Sequence, residues 1–208
     1  MPDAQSIESE FDAPWKVGLD ILLEPFLALC FPAVHGLIDW RQPPVPLETE
    51  LQQIAPEHEE GRRWVDKLFR VRLLDGQEEW LLIHIEVQAQ PDPRFPERVW
   101  IYFYRLWDRF RQRVISLAVL ADDQDSWRPS GFHLALAGCR LDFEFPTFKL
   151  LDCADPEGLF ERTGNPFALL VAAHRAGLAT RQDVQARFQE RFRLMKYLYR
   201  QGLDPRHV

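Results

Sequence analysis

The sequence predicts an α/β fold in which helices flank a central mixed β-sheet. Three observations lead to this prediction. Residues 64–90 have the pattern of a β-hairpin, residues 96–111 have helical spacing, and residues 114–121 form a continuous apolar run that suits a buried strand. A hairpin followed by a helix and a buried strand forms a sheet with both antiparallel and parallel pairs.

The segment before the hairpin is predicted to contribute a helical region and one short strand. Residues 1–13 have the acidic and polar composition of a flexible tail. Apolar residues then follow helical spacing over residues 14–30, with a kink or a new start at Pro25, which has no backbone N–H to donate. After a proline-rich loop, residues 47–53 are predicted to form a short strand that joins the sheet.

Each strand of the hairpin has one face that carries polar groups, because strand side chains alternate between the two faces. On the first strand this face holds Asp66, Leu68, Arg70, Arg72 and Leu74. On the second strand it holds Trp80, Leu82, His84, Glu86 and Gln88. How the two strands pair then decides which of these side chains meet.

The length of the turn decides whether Asp66 and Glu86 share a face. A two-residue loop of residues 75–76 would place the two acids on opposite faces. A loop of residues 74–76 makes them diagonal neighbours, and a loop of residues 75–77 makes them directly opposite. We therefore predict a loop with an odd number of residues, or a bulge, which brings both acids to one face.

Two carboxylates that meet on a mostly apolar sheet repel each other unless a positive charge neutralises them. Oxygen ligands suit Mg²⁺. Asp66 and Glu86 are therefore predicted to bind Mg²⁺, with Gln88 beside them. The alternative is a solvated face on which the two acids pair with Arg70 or Arg72. The apolar surroundings and the E-x-Q spacing favour the metal.

The helix predicted over residues 96–111 has two stripes of side chains. The aromatic residues expected to pack on the sheet are Trp100, Phe103, Tyr104 and Trp107. The neighbouring stripe holds Arg98, Tyr102, Arg105 and Arg109. Because the planar fork of arginine matches phosphate geometry, this second stripe is predicted to bind nucleic acid beside the acid pair. The alternative is a solvated helix face.

The remainder of the chain is predicted to add strands and then helices. Residues 132–137 and 139–145 alternate between apolar and polar side chains, as in a pair of antiparallel strands, and residues 148–151 suit a further strand. Helices are predicted from Asn165 to about Arg175 and over residues 180–201.

Composition limits the class of protein. The net charge of −7 argues against tight nonspecific binding to nucleic acid, although positive charge collects in residues 62–113 and 181–208. The three cysteines are odd in number and lack a C-x-x-C pair, so no disulfide framework or zinc site is expected. We expect one cytoplasmic domain over residues 14–208 without a membrane span, because the apolar stretch 19–31 is short and contains charges.

Four segments of the chain carry a family resemblance: WVDKLFRVRLLDGQEEWLLIHIEVQAQPD, ERVWIYFYRLWDRF, VISLAVLADD and CRLDFEFPTFKLLD. Taken in this order, they resemble the Rpn family of recombination-promoting nucleases and transposase-like proteins, which belongs to the PD-(D/E)XK nuclease superfamily. The resemblance extends from about Pro14 to about Gln201, which is nearly the whole chain.

The resemblance implies a restriction-endonuclease-like core that cleaves DNA with Mg²⁺, for which Mn²⁺ substitutes. It implies that Asp66 and Glu86 are the catalytic, metal-binding acids and that Gln88 stands where the superfamily has a lysine. Glutamine can orient a water molecule but carries no charge. Asp20 and Glu24, four residues apart on one helix face, are both candidates for an additional metal-binding acid.

Two other functions stay open at this point. One is a catalytically inactive relative that keeps the fold as a module for binding DNA or protein. The other is a homodimeric scaffold that uses residues 96–111 or the last helix as its interface. His84, which shares a face with Glu86, is expected to be a supporting or structural residue, with direct assistance in catalysis as the alternative.

Overall fold

The computed structural model of the protein describes residues 15–54, 65–74 and 80–180, together with positions 183, 185, 186 and 189. The predicted tail, the turn of the hairpin and most of the last predicted helix lie outside these residues. No helix in the described part has the length and the apolar composition that a membrane crossing requires.

The described residues form two β-sheets and a set of helices. The strands are β1 (Val45–Pro46), β2 (Val65–Arg72), β3 (Trp80–Gln88), β4 (Arg113–Leu120), β5 (Gly131–Leu136), β6 (Cys139–Glu144) and β7 (Thr147–Lys149). The helices are α1 (15–21 in the described part), α2 (Leu23–Cys30), α3 (Pro32–His35), α4 (Glu48–Ile54), α5 (Phe95–Phe110), α6 (Pro156–Thr163) and α7 (Phe167–Ala179). A 3-10 helix, Leu150–Asp152, follows β7.

The larger sheet has the strand order β1-β2-β3-β4-β7. β2 pairs antiparallel with β1 and with β3, whereas β4 pairs parallel with β3 and with β7. α5 connects β3 to β4, as a parallel pair requires a crossover. The prediction of an α/β fold with a mixed central sheet is confirmed, and β5 and β6 form a separate two-stranded sheet.

The register of the hairpin places the two acids opposite each other. Asp66 is the direct partner of Glu86, and Arg72 is the partner of Trp80. This is the register expected for a loop of residues 75–77, and it excludes the pairing of a two-residue loop. The loop itself lies outside the described residues.

One face of the larger sheet packs under α1, α2 and α7. Phe69 and Ile85 point to this face and belong to one buried apolar cluster. The three helices contribute side chains to the same cluster, among them Leu19, Phe26 and Phe167. Burial of this continuous apolar surface supplies most of the driving force for this half of the fold.

The opposite face is covered by α5 and, at its edge, by α4. Leu68 and Leu82 pack there against Tyr102 and Leu106 of α5. Strand side chains alternate, so every second residue along β2 and β3 from these leucines also lies beneath α5. Asp66 and its polar neighbours on β3 are in this set.

The break between α1 and α2 lies at Leu22, which has the non-helical dihedral angles φ −117° and ψ 30°. Pro25 explains this position, because its ring clashes with the carbonyl group four residues earlier and it has no N–H to donate. The prediction of a new helix start near Pro25 is therefore confirmed.

The strand predicted over residues 47–53 is wrong. This segment is helix α4, and the strand that joins the sheet is the preceding pair Val45–Pro46. Leu47, Leu51 and Ile54 all pack in the cluster beneath α5, and their spacing of four and three residues is that of a helix.

Helix α5 lies between the larger sheet and the β5–β6 hairpin, so its aromatic residues do not all face the sheet. The ring of Trp100 stacks on Phe132 of β5, with ring centroids 5.4 Å apart, and Phe103 contacts Phe143 of β6 at 4.8 Å. Val99, Tyr102 and Leu106 face the larger sheet instead. The predicted packing of the aromatic stripe on the sheet is therefore wrong.

The other two residues of the aromatic stripe are on the surface. The side chain of Tyr104 is 51% exposed and that of Trp107 is 45% exposed.

The β5–β6 hairpin that covers the first part of α5 reverses direction at Ala137 and Gly138, with φ angles of 49° and 86°. Two positive φ angles are typical of the tight turns that match the twist of a hairpin.

Candidate metal centre

Three potential metal ligands meet on the face of the sheet beneath α5. Asp66, His84 and Glu86 each offer one ligand atom, and these atoms all lie within 4.8 Å of one another. The fold brings them together because Asp66 and Glu86 are cross-strand partners and His84 is two residues before Glu86 on the same strand.

The cluster is in the interior of the protein. His84 and Glu86 are fully buried, with an exposed fraction of 0%, and Asp66 is half-buried. Taking charged groups out of water is costly unless they are paired and hydrogen-bonded. The neighbouring side chains must therefore compensate the two carboxylates.

Arg98 of α5 supplies a positive charge beside Glu86. Its Nε donates to Glu86 Oε1, its Nη2 donates to Gln88 Oε1 at 2.7 Å, and its Nη1 donates to Asp92 Oδ2 at 3.0 Å. Gln88 in turn donates from Nε2 to the carbonyl oxygen of Gln90 at 2.5 Å. The guanidinium group thus fixes the side chains of Glu86 and Gln88 in one arrangement.

Tyr102, one helical turn after Arg98, contacts the other two members of the cluster. Its hydroxyl group donates to Asp66 Oδ2 at 3.3 Å. Its ring lies 4.9 Å from the ring of His84, with an angle of 34° between the planes. Tyr102 therefore positions both a carboxylate and an imidazole.

His84 has an unusual environment for a buried histidine. Its Nδ1 is 3.4 Å from Ser116 Oγ on β4, and its buried Nε2 has no hydrogen-bond partner among the described residues. Burial and the nearby charge of Arg98 lower the pKa of His84 to about 3. The imidazole is therefore neutral at pH 7, which is the form that binds metal ions.

The donor set fits a divalent cation. Carboxylate oxygens from Asp66 and Glu86 match the charge of the ion, and the imidazole nitrogen of His84 supplies a third donor. A carboxylate has two oxygens, so Glu86 can accept a hydrogen bond from Arg98 with one and coordinate an ion with the other. The described residues thus bring together three groups that could hold such an ion.

The structure does not bring Asp20 or Glu24 to the cluster. The carboxylate of Asp20 accepts hydrogen bonds from Lys67 Nζ at 2.7 Å, and Lys67 follows Asp66 on β2, so its side chain leaves the opposite face of the sheet. Glu24 is exposed and lies 3.8 Å from the ring of His35. The two helices that carry these acids, α1 and α2, pack on the face away from the site.

Lys67 has a structural role on that opposite face. Its ammonium group also contacts Glu48 at the start of α4. Burial alone would lower the pKa of Lys67, but the hydrogen bonds to Asp20 and Glu48 outweigh burial and raise that pKa above its usual value. Asp20 therefore serves as a partner for a buried lysine, which explains its position.

The stripe predicted to bind nucleic acid is divided between two roles. Arg98 and Tyr102 are 5% and 3% exposed and hold the site from within, so they do not form a surface for phosphates. Arg105 donates to the carbonyl oxygen of Ile54 at 2.6 Å, and the exposed Arg109 donates to Gln53 Oε1 at 2.6 Å. Both contacts tie α5 to α4.

Sequence reasoning did not name His84 as a potential metal ligand and did not include Asp92. The signal for His84 was present, because it lies two residues before Glu86 and therefore on the same strand face. Asp92 had no such signal, since it lies in the Pro-Asp-Pro loop after β3, and it contacts Arg98 at 3.0 Å.

The chain was compared with models of protein families, with curated proteins and with solved structures, and none of these comparisons found a match.

Proposed function

We propose that the chain is a metal-dependent DNA endonuclease with a restriction-endonuclease-like core, which hydrolyses phosphodiester bonds. One observation carries the proposal: Asp66, His84 and Glu86 lie within 4.8 Å of one another on one face of adjacent strands, with Gln88 beside them. Converging acids at this distance are the usual means of holding a divalent cation for phosphoryl chemistry.

The topology is in keeping with the proposed core. The acids lie on an antiparallel pair, and a helix then leads to a strand that is parallel to β3. The resemblance to the Rpn family implies a core with a central mixed sheet, and the larger sheet is mixed. The separate β5–β6 hairpin is an addition to this arrangement.

The side chains of the centre have different roles in the proposed reaction. When bound, a divalent cation lowers the pKa of a coordinated water molecule and polarises the scissile phosphate. Asp66 and Glu86 hold the site's negative charge, and Tyr102 positions Asp66 through its hydroxyl group. Gln88, fixed by Arg98, presents a polar amide next to the acids and can orient a water molecule.

Substrate binding is proposed to use the exposed part of α5. Arg109 is exposed and Arg105 is half-buried, and both project from the helix that covers the centre. Each already donates one hydrogen bond to α4, and a guanidinium group has five N–H donors, so further donors can reach a phosphate.

A second candidate is a catalytically inactive module that binds DNA or protein. The observation in its favour is the contact between Arg98 and Glu86, because an internal arginine neutralises a buried carboxylate as a metal ion would. The glutamine at position 88, where the superfamily has lysine, points in the same direction. In this case the cluster is a structural network.

A third candidate is a homodimeric scaffold. Tyr104 and Trp107 are large aromatic residues with about half of their surface exposed on α5, and aromatic residues are enriched at protein interfaces. The molar mass of the protein in solution tests this candidate, because a scaffold of this kind is expected to be a stable dimer. A scaffold is also expected not to cleave DNA.

The decisive experiment is plasmid nicking by purified full-length protein with Mg²⁺ or Mn²⁺. Asp66→Asn keeps the size of the side chain and removes its charge, so nicking is expected to fall by about two orders of magnitude or more. Asp108→Asn on the exposed surface of α5 is the matched control and is expected to retain activity. Equal nicking by wild type and Asp66→Asn would place the activity elsewhere or in a contaminant.

A further inference from the structure

We propose that His84 is a direct metal ligand and that this centre selects transition metals such as Mn²⁺ over Mg²⁺. The inference rests on the proposed metal site but not on DNA as substrate. It concerns the nitrogen donor, which the two-acid pattern of the sequence did not require.

The position of the His84 ring is determined by three elements of the fold. β3 places it on the same face as Glu86, Tyr102 of α5 contacts its ring at 4.9 Å, and Ser116 of β4 is 3.4 Å from Nδ1. Because Nδ1 is beside Ser116, Nε2 is the ring nitrogen available to a metal ion. A ligand fixed in this way needs little reorganisation to bind an ion.

The buried Nε2 of His84 is the observation that points to a ligand. His84 is 0% exposed, and Nε2 has no hydrogen-bond partner within the described residues. Leaving a buried polar atom without a partner costs free energy, so such an atom calls for an explanation. A coordinated cation would satisfy this nitrogen and compensate the adjacent carboxylates at the same time.

Another buried histidine among the described residues, His174, shows what a purely structural histidine looks like here. His174 on α7 is 3% exposed, and both of its ring nitrogens have partners. Its Nδ1 accepts a hydrogen bond from Trp15 Nε1 at 3.1 Å, and its Nε2 donates to the carbonyl oxygen of Ala121 at 2.8 Å. His84 differs from His174 in this respect and lies beside two acids.

The mixed donor set determines the class of metal. Mg²⁺ prefers oxygen ligands and keeps several water molecules, whereas imidazole suits transition metals. Mn²⁺ accepts both kinds of donor and carries the charge that Asp66 and Glu86 compensate. Co²⁺ and Zn²⁺ are expected to bind as well, because affinity at nitrogen and oxygen sites rises along the first transition series.

The test is a direct measurement of nitrogen coordination. Electron spin echo envelope modulation of Mn²⁺ bound to the wild-type full chain detects a coordinated imidazole nitrogen and needs no variant. We expect modulation from one ¹⁴N in wild type and in His133→Gln, which alters an exposed histidine on β5. His84→Gln keeps a polar side chain without an imidazole and is expected to lose the signal.

Calorimetric titration then measures selectivity. In wild type, Mn²⁺ is expected to bind at least about tenfold more tightly than Mg²⁺, and His84→Gln is expected to bring the two affinities close together. Mn²⁺ bound without nitrogen modulation, equal affinities in wild type, or no binding of either ion would overturn the inference.

The same measurements separate this inference from the proposed nuclease activity. Nitrogen coordination in a protein that does not nick plasmid DNA leaves the inference intact and contradicts the nuclease. The opposite result is plasmid nicking that is as strong with Mg²⁺ as with Mn²⁺ and is unchanged in His84→Gln, without nitrogen modulation. It contradicts the inference and leaves the proposed nuclease activity intact.

Discussion

Arg98 binds Glu86 in the interior of the protein, where the two side chains are 5% and 0% exposed. A buried carboxylate needs such a partner, and the loss of one member of a buried pair leaves the other uncompensated. Arg98 also gives the centre a positive charge. A metal ion that binds Glu86 would have to share this carboxylate with Arg98 or displace the guanidinium group.

We expect Arg98→Gln to lower the free energy of unfolding of the metal-free protein by about 3–5 kcal/mol, because Glu86 loses its buried counter-charge. Urea unfolding in the presence of EDTA measures this loss. Arg111→Gln removes a surface ion pair with Asp108 and is the control, with an expected loss below about 1 kcal/mol. Similar losses in the two variants would mean that the Arg98–Glu86 pair contributes little.

The contact between Gln88 and Arg98 limits which side chains position 88 can hold. Because Gln88 accepts a hydrogen bond from Arg98 at 2.7 Å, Gln88→Lys would place two positive charges together in a buried site. We expect this variant to have a lower melting temperature than Gln88→Met, which also loses the hydrogen bonds but adds no charge. If the lysine variant melts at the higher temperature, the acids compensate its charge and Arg98 does not dominate this position.

Arg109 offers a test of DNA contact that is independent of catalysis. Arg109→Ala is expected to weaken DNA binding for all sequences and to reduce the slope of log affinity against log salt by roughly 1, since one phosphate contact is lost. Gel-shift titrations at two salt concentrations measure both effects. Arg162→Ala on α6 is a matched exposed control. Arg105 is less suitable, because its contact with Ile54 also supports the fold.

His174 makes the stability of the protein dependent on pH. Burial lowers the pKa of His174 to about 4, whereas an unfolded histidine titrates near 6.5. The unfolded state therefore binds more protons between these values, and stability is lost as the pH falls from about 6.5 to about 4. The loss amounts to about 3 kcal/mol, with a further contribution from His84.

Urea unfolding at several pH values checks this dependence. His174→Gln is expected to be less stable at pH 7 but to show a shallower decline on acidification. His133→Gln, which changes an exposed histidine, is expected to keep the slope of the wild type. An unchanged slope in His174→Gln would show that other groups cause the acid sensitivity.

The two-acid face was predictable because strand alternation is strict and the apolar residues restrict the register. The apolar residues Phe69 and Val71 have to share a face with Leu81 and Ile83. This requirement excludes a loop with an even number of residues and places Asp66 on the same face as Glu86. The register of direct opposition was one of two odd alternatives, and sequence pattern does not distinguish between them.

The role of Arg98 was not predictable from helical spacing. A stripe at steps of four and three shows which residues share a face of α5, but it does not show which face meets the larger sheet. Both faces of this helix are covered, one by the sheet and one by the β5–β6 hairpin, so Trp100 and Phe103 had an apolar neighbour that the sequence pattern did not reveal.

The position of Asp20 depended on a contact between distant segments. Lys67 of the first strand of the hairpin binds Asp20 and Glu48, which lie 47 and 19 residues away in the chain. Such a pairing is a property of how helices pack on the sheet. By contrast, the spacing of Leu47, Leu51 and Ile54 could have identified α4 as a helix.

The turn of the β5–β6 hairpin also provides a point of chemical attachment. Cys139 directly follows this turn and is exposed, whereas Cys30 is buried and Cys153 is half-buried. A maleimide is therefore expected to react first at Cys139 in the native protein. A fluorophore or a surface tether placed there would allow metal and DNA binding to be followed with every residue of the larger sheet and of α5 left unchanged.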